Sequence, residues 1–199
     1  MEYLLNCLET WPEFIRLSDA AQRHRGPASV FGVSETQKVH LSSALASREQ
    51  GRTLLMVTSN DVQALRLWED YRALVDCPAH VFSPREDSLY AIAATSHDAQ
   101  AQRLKILSGL LAGERMVIIA SVEALQQRIM PPALFAQRRI ALEPGMRIEP
   151  EQLIEQLLLC GYQREPSVEG PGLFSVRGGI VDIYPMESEA PCRVEFFDD

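Results

Sequence analysis

Over the first two thirds of the chain, short apolar runs alternate with stretches of helical periodicity. Ala28–Val33, Thr53–Thr58, Ala79–Phe82 and Met116–Ala120 read as strands, and Thr36–Glu49, Asp61–Val75 and about His97–Ala112 read as helices. Strand followed by helix, repeated, predicts a parallel α/β sheet. In the second of these helices Val62, Leu65, Trp68, Tyr71 and Val75 recur at spacings of three or four, a stripe wide enough to cover one sheet face. The run Met116-Val-Ile-Ile-Ala120 has the continuous apolar character of a buried central strand.

Past Pro131-Pro132 the texture changes. Arg139–Leu142 is a strand candidate, Pro144-Gly145 a turn, and Pro150 to Gly161 bounds a compact helix expected to bury Leu153, Ile154, Leu157 and Leu158. The remainder alternates with period two: Leu173–Arg177, the turn Gly178-Gly179, Ile180–Tyr184 and Cys192–Phe197. Two domains are therefore expected, a parallel-sheet α/β domain over 1–137 and a small α+β domain with an antiparallel sheet over 138–199.

A two-residue turn decides which side chains share a face. With Arg177 opposite Ile180, the residues Phe174, Val176, Val181 and Ile183 form an apolar face, and Ser175, Arg177, Ile180, Asp182 and Tyr184 form the other. In the last strand Cys192, Val194 and Phe196 alternate with Arg193, Glu195 and Phe197. If the first set is buried, arginines and a phenylalanine face outward. Arginine beside an exposed aromatic is the composition of a protein-binding hot spot. Equally open is a local reading, in which Arg177 and Arg193 pair with Asp182 and Glu195 across the strands and Phe197 packs under further protein.

Composition narrows the class. Net charge is −8, from 19 basic and 27 acidic residues, which disfavours a strong phosphate-backbone binder. No stretch approaches the ~20 consecutive apolar residues of a membrane helix, and the start carries no signal-peptide pattern, so a cytoplasmic protein is expected. Cys7, Cys77, Cys160 and Cys192 are scattered without metal-ligand spacing and are expected to be reduced, partly buried thiols.

Gly32-Val-Ser-Glu-Thr-Gln-Lys-Val39 stands between a predicted strand and a predicted helix, where a phosphate loop would stand, and keeps that loop's first glycine and its lysine. A working loop needs a second glycine, so that backbone amides approach the phosphates, and a hydroxyl for magnesium. Gln37 and Val39 occupy those positions, and Glu35 adds a carboxylate where phosphate would sit. Ser34 and Gln37 have instead the spacing of a capping box, so a self-capped helix without nucleotide is the preferred reading. The end of the chain, Val194–Asp199, is a poor magnesium-binding strand because Glu195 interrupts its apolar run. His24, His40, His80 and His97 have no neighbouring nucleophile pattern, and the acidic pairs Glu86-Asp87 and Asp198-Asp199 read as solvated charge.

Phe174-Ser-Val-Arg-Gly-Gly-Ile-Val-Asp-Ile-Tyr-Pro185, followed by Arg193-Val-Glu-Phe-Phe-Asp-Asp199, resembles two linked segments shared by the Mfd (transcription-repair coupling factor) and UvrB families. Met116–Arg128 with Pro131 also looks like Mfd, and the degraded phosphate loop and the lack of an aromatic cluster between Phe82 and Asp98 point to Mfd over UvrB. The resemblance implies a first domain that is a catalytically dead, helicase-like relative with a degenerate P-loop, and a second domain that binds UvrA through one sheet face. The implied contact positions are Arg177, Arg193, Phe197 and Asp198; Asp198 comes from the resemblance alone. It also implies RNA polymerase and DNA as partners of the full-length protein, masking of the face by a C-terminal domain, and ATP and magnesium used only by motor domains beyond this chain. The competing expectations are a UvrB-type ATPase lobe and a DNA-binding lobe.

Overall fold

The computed structural model describes residues 7–48, 52–73, 78–85 and 97–197. Two compact units interleave along the chain, one from Met1–Pro84 with Ala112–Gln127, the other from Arg85–Leu111 with Arg128–Asp199.

The first unit begins with a 3-10 turn over Cys7–Thr10, then α1 (Pro12–Gln22), α2 (Glu35–Arg48), β1 (Leu54–Thr58), α3 (Asp61–Arg72), β2 (Ala79–Phe82), β3 (Val117–Ser121) and α5 (Val122–Gln126); the helix between β2 and β3, α4 (His97–Leu111), falls in the second unit. The sheet is parallel throughout, in the order β1-β3-β2. The apolar run predicted as a central strand is central, and all five residues of β3 are buried.

α3 starts where Asn60 accepts a hydrogen bond from the Gln63 N–H at 2.9 Å. Its buried stripe differs from the predicted one. Ala64, Leu67 and Tyr71 face the core with Trp68 beside them, joining Val39, Val117 and Ile119. Val62 and Leu65 are exposed, and Val75 lies outside the described residues. Positions 64, 67, 68 and 71 also recur at three and four, so the same spacing admits a stripe that takes in small Ala64. The Trp68 indole N–H donates to the Ala79 carbonyl at 2.7 Å, fixing the helix against β2.

The predicted strand Ala28–Val33 is not a strand. Pro27 has no N–H to give a ladder, Gly32 takes φ +75, and the chain between α1 and α2 is irregular, with Phe31 89% exposed.

The second unit contains α6 (Pro132–Gln137), α7 (Pro150–Leu159), β4 (Gln163–Arg164), β5 (Leu173–Arg177), β6 (Ile180–Ile183) and β7 (Cys192–Glu195). Its sheet, ordered β4-β5-β6-β7, is mixed and not antiparallel as expected: β5, β6 and β7 are antiparallel neighbours, but β4 runs parallel to β5. The chain turns out of α7 at Gly161, φ +87, and meets β5 over two residues only, too short a run for any alternation to signal. α7 closes the apolar face with Leu153 and Leu157 over Phe174, Val181 and Ile183. Ile154 is at the edge of that core and Leu158, expected inside, is 54% exposed. Arg139–Leu142 forms no strand, although Ile140 and Leu142 pack on the same core.

Cys7 and Cys192 are exposed and Cys160 is half-buried, so of these three the expectation of partly buried thiols holds for Cys160, while Cys77 lies outside the described residues. No helix among the described residues is long and apolar enough to cross a membrane.

Candidate functional site

The β5–β6 hairpin has the predicted register, with Arg177 opposite Ile180 and Val176 opposite Val181. Gly178 takes φ +57, a conformation that costs an ordinary residue roughly 1–2 kcal/mol. Gly179 lies against β7, where an added Cβ would stand 3.3 Å from the Phe196 carbonyl. The register continues into β7 with Val181 opposite Val194 and Asp182 opposite Arg193. Phe174, Val181 and Ile183 are fully buried, with Val176, Val194 and Phe196 packed beside them.

That pairing collects Arg177, Asp182 and Arg193 on the opposite face. Asp182 Oδ1 accepts from Arg193 Nε at 2.6 Å and its Oδ2 from Arg193 Nη2 at 3.1 Å, while Arg177 Nη2 stands 3.8 Å from Oδ2. The Asp182 side chain is 15% exposed, against 56% for Arg193 and 67% for Arg177. The Arg193 hydrogen bonds hold the Asp182 carboxyl below its usual range, and the same carboxylate raises the Arg193 guanidinium. Phe197 follows β7, turned away from the core and 83% exposed.

Of the expected contact positions, Arg177 and Arg193 are brought together, Phe197 is exposed beyond them, and Asp198 lies outside the described residues. Asp182 was visible to sequence only as a cross-strand partner; that one carboxylate serves both arginines required the register. Ser175, expected on this face among exposed residues, is buried, and its Oγ has no hydrogen-bond partner.

Ser34 and Gln37 cap the start of α2. The Gln37 N–H donates to Ser34 Oγ at 3.3 Å and the Ser34 N–H donates to Gln37 Oε1 at 2.7 Å. Lys38 Nζ meets Glu35 Oε1 at 2.5 Å, and Gln63 Nε2 donates to Glu35 Oε2 at 3.2 Å. These bonds, Lys38 first, lower the Glu35 pKa. Val39, at the position of the missing hydroxyl, is fully buried in the first core. The Ser34, Gln37 and Lys38 amides, the Lys38 ammonium and the position of the hydroxyl are thus engaged within the chain. A mostly apolar cleft of about 670 Å3 adjoins the loop, walled by Trp11, Phe14, Val30, Phe31, His40 and Leu41.

Residues 140–199 match the family model of the UvrB interaction domain. The chain is 34% identical over 168 residues to a transcription-repair-coupling factor of Bacillus subtilis (strain 168), an alignment covering 84% of this chain and 14% of that protein. It is 30% identical over 170 residues to a transcription-repair-coupling factor of Staphylococcus aureus (strain USA300), covering 85% of this chain and 14% of the relative. The chain thus spans about one seventh of the length of these relatives, as those shares of 14% state.

Proposed function

We propose that this chain, homologous to the N-terminal region of the transcription-repair-coupling factors and carrying a UvrB-interaction-type domain, is a docking module that binds UvrA and so brings nucleotide excision repair to stalled RNA polymerase in the cytoplasm. The observation that carries this reading is the outer face of the second sheet. Within the matched domain, Arg177 on β5 and Arg193 on β7, the two strands that flank β6, stand exposed with Phe197 beyond them. A large aromatic surrounded by water in the free chain, next to guanidinium groups, is the kind of anchor that dominates binding energy when a partner covers it. Arg177, Arg193, Phe197 and Asp198 are the contact residues, and the docking domain begins near residue 138.

The chain by itself has no ATPase activity. Support comes from the reciprocal Ser34–Gln37 cap, the Glu35–Lys38 pair and buried Val39. In the full-length protein ATP, magnesium, DNA and RNA polymerase are engaged by other domains.

Calorimetry of the chain with purified UvrA, beside an Arg193→Ala/Phe197→Ala variant whose fold is verified by circular dichroism, tests the docking face. Wild type is expected to bind and the folded variant to lose binding; equal binding by both removes the face from consideration. Titrating magnesium ATP in a thermal-shift series tests the other half. A saturable rise in melting temperature would restore the ATPase reading, since a ligand that binds only the folded state stabilises it in proportion to the logarithm of its concentration.

A further inference from the structure

Arg193 is held by one side of its guanidinium. Asp182 takes the Nε–H and one Nη2–H, the inner edge of the fork. Both N–H groups of Nη1 and the second of Nη2, the outer edge, meet no acceptor among the described residues, and the side chain is exposed. That outer edge has the geometry of a second bidentate site for a planar anion. We propose that Asp182 is a positioning residue, which fixes Arg193 by its inner edge so that its outer edge receives a carboxylate of the partner; this rests on the docking face proposed above.

An unrestrained arginine, with its long flexible stem, gives up much rotamer freedom when it is fixed on binding. Asp182 does part of that fixing before the partner arrives. Its position suits it to this role, since it lies directly opposite Arg193 in the ladder and is mostly covered itself. It also attracts Arg177, whose Nη2 at 3.8 Å is an ion pair beyond hydrogen-bond reach, so that fork too stays open. The acceptor class follows from charge. A polyanionic backbone is disfavoured by a chain of net charge −8 with exposed Glu195 on the same strand, whereas a single aspartate or glutamate on a protein surface matches one fork.

The sign of one substitution separates this from simple electrostatics. Asp182→Asn removes a negative charge from a face meant to meet a carboxylate, so charge alone predicts tighter binding to UvrA; loss of positioning predicts weaker binding, by about five- to tenfold for one rotamer-rich side chain left to be ordered on association. Calorimetry with purified UvrA is therefore run on wild type, Asp182→Asn, Arg193→Ala, the double variant and Arg193→Lys. The expected result is weaker binding by Asp182→Asn, no further effect of that change in the Arg193→Ala background, and failure of lysine, a point charge without a fork, to restore wild-type affinity. If Asp182 only supports the sheet, Asp182→Asn weakens binding by the same factor in the Arg193→Ala background, so additivity separates the two roles. Unchanged or tighter binding by Asp182→Asn, with Arg193→Ala still defective, overturns the positioning role and leaves the docking face standing. Wild-type binding by Arg193→Ala removes the docking face itself. If Asp182→Asn does not fold, Arg193→Lys decides, and wild-type affinity in that variant overturns the proposal. Displacement of UvrA by duplex DNA at the same face, with steep salt dependence, would replace the carboxylate by phosphate.

Discussion

Ser34 and Gln37 bond each other's backbone: the serine N–H donates to Gln37 Oε1 at 2.7 Å, and the glutamine N–H donates to Ser34 Oγ at 3.3 Å. The helix end that would greet a phosphate has therefore satisfied amides with its own side chains. Ser34→Ala should destabilise the chain by about 0.5–2 kcal/mol, the usual cost of losing an N-cap hydroxyl. Gln37→Ala should cost less, and the double variant less than the sum, because the two bonds close one box. Urea unfolding followed by circular dichroism measures all three.

Val39→Thr returns a hydroxyl to the position where a phosphate loop carries one. Because Val39 is fully buried among Ala64, Leu67, Tyr71 and Ile119, the hydroxyl enters an apolar site, and the expected loss is about 1–3 kcal/mol. The variant should gain no thermal shift with magnesium ATP. Stabilisation by nucleotide would mean that one hydroxyl was all the loop lacked.

Asp182 predicts an acid-sensitive step. Its folded-state pKa is lowered, chiefly by the Arg193 hydrogen bonds. A lowered carboxyl contributes stability that is fully present above the unfolded value, about 3.9, and is lost as pH falls through the lower folded value. The stability difference between wild type and Asp182→Asn should be level from neutral pH down to about 5 and close below about 4. Urea midpoints across that range check it; a difference that persists at the lowest pH would assign the effect to packing.

Leu157 and Leu158 are neighbours on α7 with opposite fates. Leu157 is 2% exposed and packs on the second core. Leu157→Ala should cost about 2–5 kcal/mol, while Leu158→Ala should stay within about 0.5 kcal/mol. If the docking face depends on this core, only the first change should also weaken UvrA binding, measured where the chain begins to unfold.

The second sheet was the most legible part. Phe174, Val176, Val181 and Ile183 alternate strictly, and Gly178-Gly179 pins the register, so pattern alone names the inward face. The same counting turned Arg177, Arg193 and Phe197 outward. It failed at Ser175, whose burial depends on neighbours that alternation does not name, and at Cys192, which begins a strand where little covers it. Along α3 the larger side chains Val62 and Leu65 drew the stripe to the wrong side, because the same three-and-four spacing fits the set Ala64, Leu67, Trp68 and Tyr71 equally well.

Local pattern by itself determined where α2, α3, α4, α7 and most strands lie, the hairpin register and the capped start of α2, since each depends on residues within a few positions of one another, while α1, α5 and α6 were not anticipated. Tertiary structure decided the exceptions among the extended segments. Ala28–Val33 and Arg139–Leu142 have strand composition but find no ladder, whereas Gln163–Arg164 has no pattern and pairs in parallel with β5. A strand needs hydrogen-bond partners from elsewhere in the chain, and whether distant backbone arrives at the right distance is settled by packing. The same holds for Asp182: its charge was plain in the sequence, but its place between two arginines on adjacent strands exists only once three strands have met.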